Sequence, residues 1–351
     1  MTNPILPAPS FAALRARLVA GFPAPDATAA AAARRRQAGL TKPPGSLGRL
    51  EDLAVFLAGW QRCARPSLAR AQALVFAGNH GICAQGVNPY PQEVTAQMVA
   101  NFRAGGAAIN QLARVVGAQL TVTALDLDRP TADFTQGPAM TEAEVLSAMA
   151  RGAAAVDPST QVLVLGEMGI GNSTVAAALA CARFGGSPAD WVGPGTGSNA
   201  AGLARKVAAV TAGMTRHSPD PTDGPGLLAA FGGLEQAAIA GAILAARTMR
   251  LPVILDGFIC TAAAAVLSPY PGALDHCLAG HCSAEPGHAR LLAALDMEPI
   301  LSLGLRLGEG TGAALALSVL RAAVATHDGM ATFTEAGVSA AGGSNDAART
   351  A

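Results

Sequence analysis

Charged residues are scarce in this chain, and their scarcity excludes several classes of protein. Only 14% of the 351 residues are charged, and the 24 basic residues balance the 24 acidic ones. No basic stripe is visible, which argues against a nucleic-acid or acidic-membrane partner. Hydrophobic residues make up 51% of the chain, enough for a sizeable core. Small-molecule chemistry is therefore the better expectation.

Targeting and disulfide signals are also missing. The chain opens without a basic segment followed by an apolar one, so we find no signal peptide. The longest apolar tract, residues 252–274, is interrupted by Asp256 and three prolines, which argues against a membrane span. The six cysteines do not cluster as in a secreted disulfide framework. We therefore expect reduced thiols and a cytoplasmic protein.

Lysine is almost absent as well. Only Lys42 and Lys206 occur among the 24 basic residues, and the rest are arginine. This drift toward arginine suggests that a retained lysine is needed as a compact ammonium group.

Short apolar runs dominate the chain after residue 73, whereas the first 65 residues have only helical patterns. The runs cover residues 73–77, 120–125, 162–165, 253–255 and 299–303, with a weaker candidate at 191–192. Continuous apolar runs are typical of strands covered on both faces. Residues 66–312 are therefore predicted to form a parallel sheet in a three-layer α/β domain. The Gly- and Ala-rich stretch 339–351 predicts a flexible tail.

Each predicted strand ends in a polar or glycine-rich cluster. In an open parallel sheet, ligands bind outside the carboxyl ends of the strands. The chemistry is therefore expected along that one edge. The clusters are residues 78–81, 126–128, 166–167, 193–197, 256–257 and 304–312.

Two of these clusters indicate a phosphate site. In the stretch LGEMGIGNST, residues 165–174, Asn172 to Thr174 could cap a helix and leave its first amides free for an anion. Residues 193–197 offer a second glycine loop, and Lys206 follows about two helical turns into the next helix. Together they predict the binding of a phosphate monoester. Tight αβ packing is the other explanation for these glycines.

Glu309 is the strongest candidate for a catalytic base. It lies between Gly308 and Gly310, after an apolar run and before an apolar helix. Partial burial would raise the pKa of its carboxyl group toward a useful range. A capping role for Glu309 is the alternative.

A histidine- and cysteine-rich stretch is a further candidate for a functional site, in this case a metal site. Residues 275–288 contain enough nitrogen and sulfur donors for zinc, but their spacing fits no standard structural site. We expect a packed loop and no metal. Within it, Ser283 and Glu285 supply a hydroxyl and a carboxylate suited to ribose hydroxyls or a phosphate.

Seven motifs, in order over residues 40–337, make the chain similar to one enzyme family. The sequence resembles the nicotinate-nucleotide:dimethylbenzimidazole phosphoribosyltransferases, which make α-ribazole 5'-phosphate for the lower ligand of cobalamin. One departure is Asn79, where the family commonly has Asp before His-Gly. The motifs are KPPGSLG from Lys42, AGNHG from Ala77, YPQEVT from Tyr90, GEMGIGNST from Gly166, DGF from Asp256, HCSAE from His281 and RLGEGTG from Arg306.

The resemblance implies an architecture and a set of site residues. It implies a homodimer with a large Rossmann-like parallel-sheet domain and a small helical domain formed by residues 1–65 and part of 313–338. It makes Glu309 the catalytic base and Glu167 the second active-site glutamate. The residues expected around the phosphate and ribose are Lys206, Gly169, Ile170, Gly171, Asn172, Gly195, Thr196, Gly197, Ser283 and Glu285. Those expected near the acceptor base are Asn79, Gln85, Tyr90, Leu305 and Leu307.

The implied reaction accounts for these residue types. Nicotinate leaves as a neutral ring nitrogen, whereas the incoming benzimidazole must lose a proton, so one well-placed base is required. We further hypothesise that the Glu167 carboxylate stabilises a positively charged sugar. No cofactor is expected. The alternatives are a non-catalytic nicotinate-nucleotide binding protein and a hydrolase in which Glu309 activates water.

Overall fold

The core of the protein is a parallel sheet of five strands. The structure is a computed structural model, and it describes residues 5–339. The strands pair in the order β2-β1-β3-β4-β5, all parallel. They are β1 (Ala71–Ala77), β2 (Ala118–Ala124), β3 (Val162–Met168), β4 (Val253–Leu255) and β5 (Cys277–Ala279).

Helices flank this sheet, so the predicted α/β fold is confirmed. The α-helices of the described residues are α1 (Phe11–Val19), α2 (Ala27–Gly39), α3 (Arg49–Gln61), α4 (Glu93–Ala104), α5 (Ala108–Val115), α6 (Glu142–Ala154), α7 (Asn172–Phe184), α8 (Ala200–His217), α9 (Gly224–Phe231), α10 (Leu234–Met249), α11 (Phe258–Ala265), α12 (Pro286–Ala294), α13 (Thr311–Gly329) and α14 (Phe333–Ala336). Within residues 5–339, no helix combines the length and the apolar character that crossing a bilayer requires.

Burial follows the position of each strand in the sheet. Every residue of β1 and β4 is buried, as expected for inner strands covered on both faces. The edge strand β2 is only partly covered. These differences explain why the central runs gave the clearest strand signals in the sequence.

The far side of the sheet differs from the prediction. Residues 299–303 form no strand and make only one isolated bridge, between Leu301 and His281. The fifth strand is instead β5, which has three residues and is too short to give a strand signal in the sequence. Pro299 has no amide hydrogen for a ladder, and Leu303 is 60% exposed. The weak candidate at 191–192 is also wrong, since these residues follow a short 3-10 helix.

The strand order determines where a crevice opens. From β1 the chain adds β2 on one side and β3 on the other, so the direction of winding reverses between β1 and β3. In such sheets the ligand crevice lies outside the carboxyl ends of the strands at this switch point. The segments that leave those ends are residues 78–80 after β1 and residues 169–171 after β3.

The chain divides into two compact units. Among the described residues, one contains residues 5–24 together with residues 69–318, and the other contains Pro25–Leu68 and residues 319–339. The predicted small domain included residues 1–65, but α1 belongs to the sheet unit. Its Phe11, Leu14 and Leu18 are buried in the large core, and Arg15 pairs with Asp223. Of the predicted tail 339–351, residues 340–351 lie outside the described part of the chain.

The second unit is held by helix packing and buried polar contacts. Helices α2 and α3 pack against each other. The His327 ring lies between the Gln37 amide, at 2.9 Å, and the Ala64 carbonyl, at 2.8 Å. Lys42, one of the two lysines, pairs with Glu51 at 2.7 Å.

Candidate active site

A cavity opens at the carboxyl ends of β3, β4 and β5. Its wall is formed by the loops that follow these strands and by residues from α8 and from the segment before α13. Eleven of the seventeen residues predicted for the site line this cavity. They are Glu167, Gly169, Ile170, Gly171, Asn172, Gly195, Thr196, Lys206, Ser283, Glu285 and Leu307.

The first glycine loop leads into α7, and the start of this helix has no side-chain cap. Gly171 occupies the N-cap position of α7 with φ of +94°, and no side chain caps this helix. Asn172 was predicted to cap it, but its side-chain amide donates to Glu167 instead. A Cβ atom on Gly169 would lie 2.7 Å from the Gly78 carbonyl oxygen, so the loop packs closely against the segment after β1. The free helix end favours an anion in the cavity.

Lys206 joins this loop to the second one. Its ammonium donates to Ser173 Oγ at 3.1 Å and to the Gly193 carbonyl at 3.0 Å. The residue is only 3% exposed, and burial lowers the pKa of the ammonium. Gly195 has φ of +56° and lines the cavity, whereas the predicted Gly197 does not. The cavity therefore has a buried cation beside a helix N terminus.

Glu285 brings a carboxylate to the same wall. Neither of its buried oxygens accepts a hydrogen bond of normal geometry from the described residues. Burial raises the pKa of this carboxyl group, although Lys206 and the Gly195 amide lower it. Any side chain at Gly193 would collide with the carboxylate. An unsatisfied buried acceptor favours a ligand that donates hydrogen bonds, such as a hydroxyl pair.

Glu167 is a buried acid at the end of β3. Burial, followed by the nearby carboxylates of Asp256 and Glu235, raises its pKa to about 8, although Asn172 opposes this by hydrogen bonding. The unliganded protein therefore holds a neutral Glu167 at pH 7. The charged form hypothesised from the sequence requires a ligand that favours ionisation.

The raised pKa of Glu167 predicts a pH-dependent stability. An unfolded glutamate ionises near pH 4.5, while the folded one keeps its proton until about pH 8. The contribution of Glu167 to the free energy of unfolding is therefore fully present below pH 4.5 and is lost as the pH rises through 8. Urea titrations between pH 5 and 8.5 should show a shallower decline for Glu167→Gln than for the wild type. Parallel declines would contradict the assigned pKa.

Glu309 has an unusual backbone conformation. Gly308, Glu309 and Gly310 all have positive φ, at +84°, +65° and +88°. Such a conformation costs a non-glycine residue about 1 kcal/mol or more, and the surrounding structure must hold it. The Glu309 amide donates to the Glu167 carbonyl at 3.2 Å, and a Cβ on Gly166 would lie 2.5 Å from the Glu309 carbonyl.

The Glu309 carboxyl group is buried beside the start of α5. Its Oε2 lies 3.5 Å from the Ile109 amide at the start of α5, which is the limit of a hydrogen bond. Burial raises the pKa of this group, and Asp256 adds to the effect. Leu307 and Gly308, immediately before Glu309, line the cavity, but Glu309 does not. The candidate base thus lies next to the cavity, and its carboxyl group is held by one long hydrogen bond.

Asp256 fixes the segment that carries Glu309. Its carboxylate accepts hydrogen bonds from the amides of Gly310 at 3.1 Å, Gly312 at 2.8 Å and Ala313 at 3.0 Å. These contacts cap the start of α13, which was the alternative role considered for Glu309.

Four of the five predicted base-binding residues do not line the cavity. The Asn79 amide donates to the Leu127 carbonyl at 3.0 Å, and the Gln85 amide donates to Asp133 at 2.6 Å. Tyr90 is 49% exposed, and Leu305 is partly buried. Only Leu307 contributes to the wall. The roles of the other four remain predictions.

Other lining residues were not predicted. Val87, Asn88, Pro89, Met168, Ser173, Gly257, Phe258, Ile259, His281, Arg306 and Gly308 complete the wall. Arg306 donates to the Gly195 carbonyl at 3.1 Å and adds a second cation. Most of these residues lie inside or next to the motifs quoted above, so proximity along the chain could have identified them.

Two histidines of the histidine- and cysteine-rich stretch contact different partners. His276 hydrogen-bonds the Ile243 carbonyl at 3.1 Å, and His281 lies 3.5 Å from Asp256. Within residues 5–339, no group of three His, Cys, Asp or Glu side chains is arranged to hold a metal ion.

The contacts described above narrow the class of protein. A helix N terminus and a buried ammonium favour a phosphate, while the ionisable carboxyl groups beside them can move protons or stabilise positive charge. A parallel sheet with this combination at the carboxyl ends of its strands defines an α/β enzyme that acts on a phosphorylated small molecule.

Comparisons with known proteins place the chain more narrowly. The family model DBI_PRT, described as "Phosphoribosyltransferase", matches residues 22–338. A Novosphingobium aromaticivorans protein named nicotinate-nucleotide--dimethylbenzimidazole phosphoribosyltransferase is 60% identical over 90% of this chain and 94% of its own length. A Ruegeria pomeroyi protein of the same name is 61% identical over 92% and 96%. The chain belongs to the DBI_PRT phosphoribosyltransferase family.

A solved structure agrees with this assignment. The crystal structure of CobT from Thermus thermophilus superposes with a TM-score of 0.83 and 44% sequence identity. The match covers 89% of this chain and 99% of that one. The resemblance found in the sequence is therefore confirmed at the level of family and fold.

Proposed function

We propose that this protein transfers the 5-phosphoribosyl group of nicotinate mononucleotide to 5,6-dimethylbenzimidazole. The products are α-ribazole 5'-phosphate, for assembly of the cobalamin nucleotide loop, and nicotinate. The observation that carries the proposal is the cavity in which an uncapped helix start, Lys206 and Glu167 meet. The names of relatives about 60% identical over nine tenths of the chain support the substrates.

The charges and hydrogen-bonding groups of the cavity favour one orientation of the nucleotide. Its phosphate would lie at the start of α7, where amides, the helix dipole and Lys206 favour an anion. Its ribose would lie against Ser283 and Glu285, because the buried Glu285 oxygens need hydrogen-bond donors. Gripping the phosphate remotely aligns the glycosidic bond for attack.

The displacement needs one base and no acid. The nicotinate ring nitrogen leaves with the electron pair of the C1–N bond and becomes neutral. A benzimidazole nitrogen attacks C1 from the opposite face, so the β nucleotide gives an α product. The other benzimidazole nitrogen loses its proton, and we assign the Glu309 carboxylate as the acceptor. Because only a 3.5 Å contact holds this carboxyl group, it can turn toward the cavity when the base binds.

Glu167 would respond to charge on the substrate. A pyridinium ring, and then a sugar with oxocarbenium character, bring positive charge beside a carboxyl group that is neutral without ligand. This charge favours ionisation of Glu167, which in turn stabilises the transition state. Its proximity to the phosphate loop supports this role.

Lys206 provides a test of the phosphate position. We expect Lys206→Met to raise the KM for nicotinate mononucleotide about tenfold to a hundredfold, since it removes one charge-assisted hydrogen bond. Lys206→Arg is the matched variant: it keeps the charge, but the larger guanidinium does not fit between Ser173 and Gly193, so we expect it to be impaired too. If the KM for the nucleotide stays normal in both variants, the phosphate binds elsewhere.

One assay distinguishes the proposed function from its alternatives. The protein is mixed with nicotinate mononucleotide, with and without dimethylbenzimidazole, and nicotinate release is followed. The transferase releases nicotinate only when the base is present. Release without the base would indicate a hydrolase. Binding with no release in either mixture would indicate a non-catalytic nucleotide-binding protein.

We also propose a cytoplasmic homodimer that works without a cofactor. The homodimer is implied by the family resemblance. All six cysteines are free thiols, which is compatible with a reducing compartment. Light scattering at micromolar concentration tests the dimer.

A further inference from the structure

Ser283 and His288 form a buried hydrogen-bonded pair on the cavity wall. Ser283 is 7% exposed and lines the cavity, while His288, in α12, is completely buried. The Ser283 amide donates to His288 Nδ1 at 2.9 Å, and Ser283 Oγ lies 2.9 Å from the same nitrogen. The reaction described above gives this imidazole no role.

The second ring nitrogen of His288 contacts α11. Its Nε2 lies 3.0 Å from Thr261 Oγ1, and the Thr261 hydroxyl donates to the Gly257 carbonyl at 2.9 Å. Since the only hydroxyl hydrogen of Thr261 is committed to Gly257, its oxygen accepts from Nε2–H. This contact requires the proton on Nε2.

The Ser283 amide excludes the other forms of the ring. An amide N–H only donates, so a proton on Nδ1 would face a second donor at 2.9 Å. The other tautomer and the doubly protonated imidazolium are both disfavoured for this reason. Burial, followed by the neighbouring His281, also lowers the pKa of His288 to about 3. The ring is therefore neutral with its proton on Nε2.

This tautomer determines what Ser283 offers a ligand. The unprotonated Nδ1 accepts from the Ser283 amide and also from the Ser283 hydroxyl at 2.9 Å, which holds the serine oxygen in place and leaves its lone pairs for a ligand that donates, such as a ribose hydroxyl. A proton on Nδ1 would instead donate to Ser283 Oγ, which would use one of these lone pairs and turn the serine hydrogen away from the ring.

We propose that His288 is a positioning residue that holds the Ser283 hydroxyl oxygen as a hydrogen-bond acceptor for a ribose hydroxyl of the bound phosphoribosyl group. The assignment rests on the function proposed above. It adds a buried relay, Ser283–His288–Thr261, that links the cavity to α11 and α12.

The tautomer is measured directly on the unliganded protein. Nitrogen-15 spectra of histidine-labelled full-length protein distinguish the two tautomers and the imidazolium. We expect His288 to be neutral with its proton on Nε2 between pH 5.5 and 8.5. An Nδ1-protonated or doubly protonated ring would overturn the proposal. This result does not depend on the chemistry the protein catalyses.

Ligand affinity tests whether His288 acts through Ser283. The dissociation constant of nicotinate mononucleotide is measured by calorimetry for His288→Leu, Ser283→Ala and the double variant. Each single change should weaken binding by up to about tenfold, which is the loss of one hydrogen bond. If His288 acts through Ser283, the double variant binds no more weakly than Ser283→Ala alone. An additive loss of about a hundredfold would overturn the proposal.

A rescue variant separates positioning from packing. In His288→Asn the side-chain oxygen can take the place of Nδ1 and accept from the Ser283 amide, so affinity should return to within about threefold of wild type. Equal impairment of His288→Asn and His288→Leu would show that ring packing matters instead. If the wild type binds the nucleotide without releasing nicotinate, the proposed transferase activity fails, while the tautomer and affinity results still decide the role of His288.

Discussion

Glu309→Gln should lower kcat about a hundredfold to ten-thousandfold while leaving the KM for nicotinate mononucleotide near normal. The amide cannot take the proton from the acceptor base. It can still accept from the Ile109 amide, so the fold should be preserved. Nicotinate release in the presence of dimethylbenzimidazole measures the effect, and thermal unfolding checks the fold. In the wild type, kcat/KM should rise with pH above the usual glutamate range, because burial raises the pKa of Glu309.

Glu167→Gln is the comparison for this variant. If both changes reduce kcat, the two carboxyl groups share the chemistry as proposed. Near-normal turnover in Glu167→Gln with a severe loss in Glu309→Gln would remove Glu167 from catalysis. Near-normal turnover in Glu309→Gln would contradict the assignment of the base itself.

Gly166→Ala should disable the enzyme without removing any polar side chain of the site. A Cβ atom at this position would lie 2.5 Å from the backbone of Glu309 and Gly310. The segment carrying the base must therefore shift, and a displacement of about 1 Å can reduce the rate a hundredfold. The overlap should also lower the free energy of unfolding by about 1 to 3 kcal/mol. Steady-state kinetics and urea unfolding measure the two effects.

Gly137→Ala is the matched control for this change. An added Cβ there meets no atom within 4 Å, and the backbone conformation suits alanine. We expect unchanged kinetics and stability for this variant. Normal kinetics for Gly166→Ala would mean that the position of the Glu309 backbone does not limit the reaction.

The central strands and the phosphate side of the site could be predicted from the sequence because their signals are local. Inner strands covered on both faces leave continuous apolar runs, and β1, β3 and β4 each contain one. Glycines that follow a strand and precede a helix identified the loop at residues 169–171. The scarcity of lysine drew attention to Lys206, which proved to be buried on the cavity wall.

The rest of the site depends on contacts between distant segments. The direction of the Glu309 side chain follows from three successive left-handed residues, which no sequence pattern reports. The neutral state of Glu167 depends first on its burial and then on Asp256 and Glu235, far from it in the chain. Strand β5 was missed because three residues between a histidine and a glycine carry too little periodicity. Asn79 and Gln85 are predicted to lie near the acceptor base, and the hydrogen bonds that hold their side chains come from Leu127 and Asp133, which no local sequence pattern reports.

The central claim is that the Glu309 carboxylate accepts the proton of the acceptor base beside a nucleotide whose phosphate is held at the start of α7. A crystal structure with the nucleotide product α-ribazole 5'-phosphate bound tests it most directly, because its benzimidazole nitrogen that has lost the proton marks where the base acts. We predict a Glu309 carboxyl oxygen within about 3.2 Å of a benzimidazole nitrogen, with the phosphate against the residue 169–171 loop and Lys206. A Glu309 that still faces the Ile109 amide while the base binds elsewhere would contradict the account.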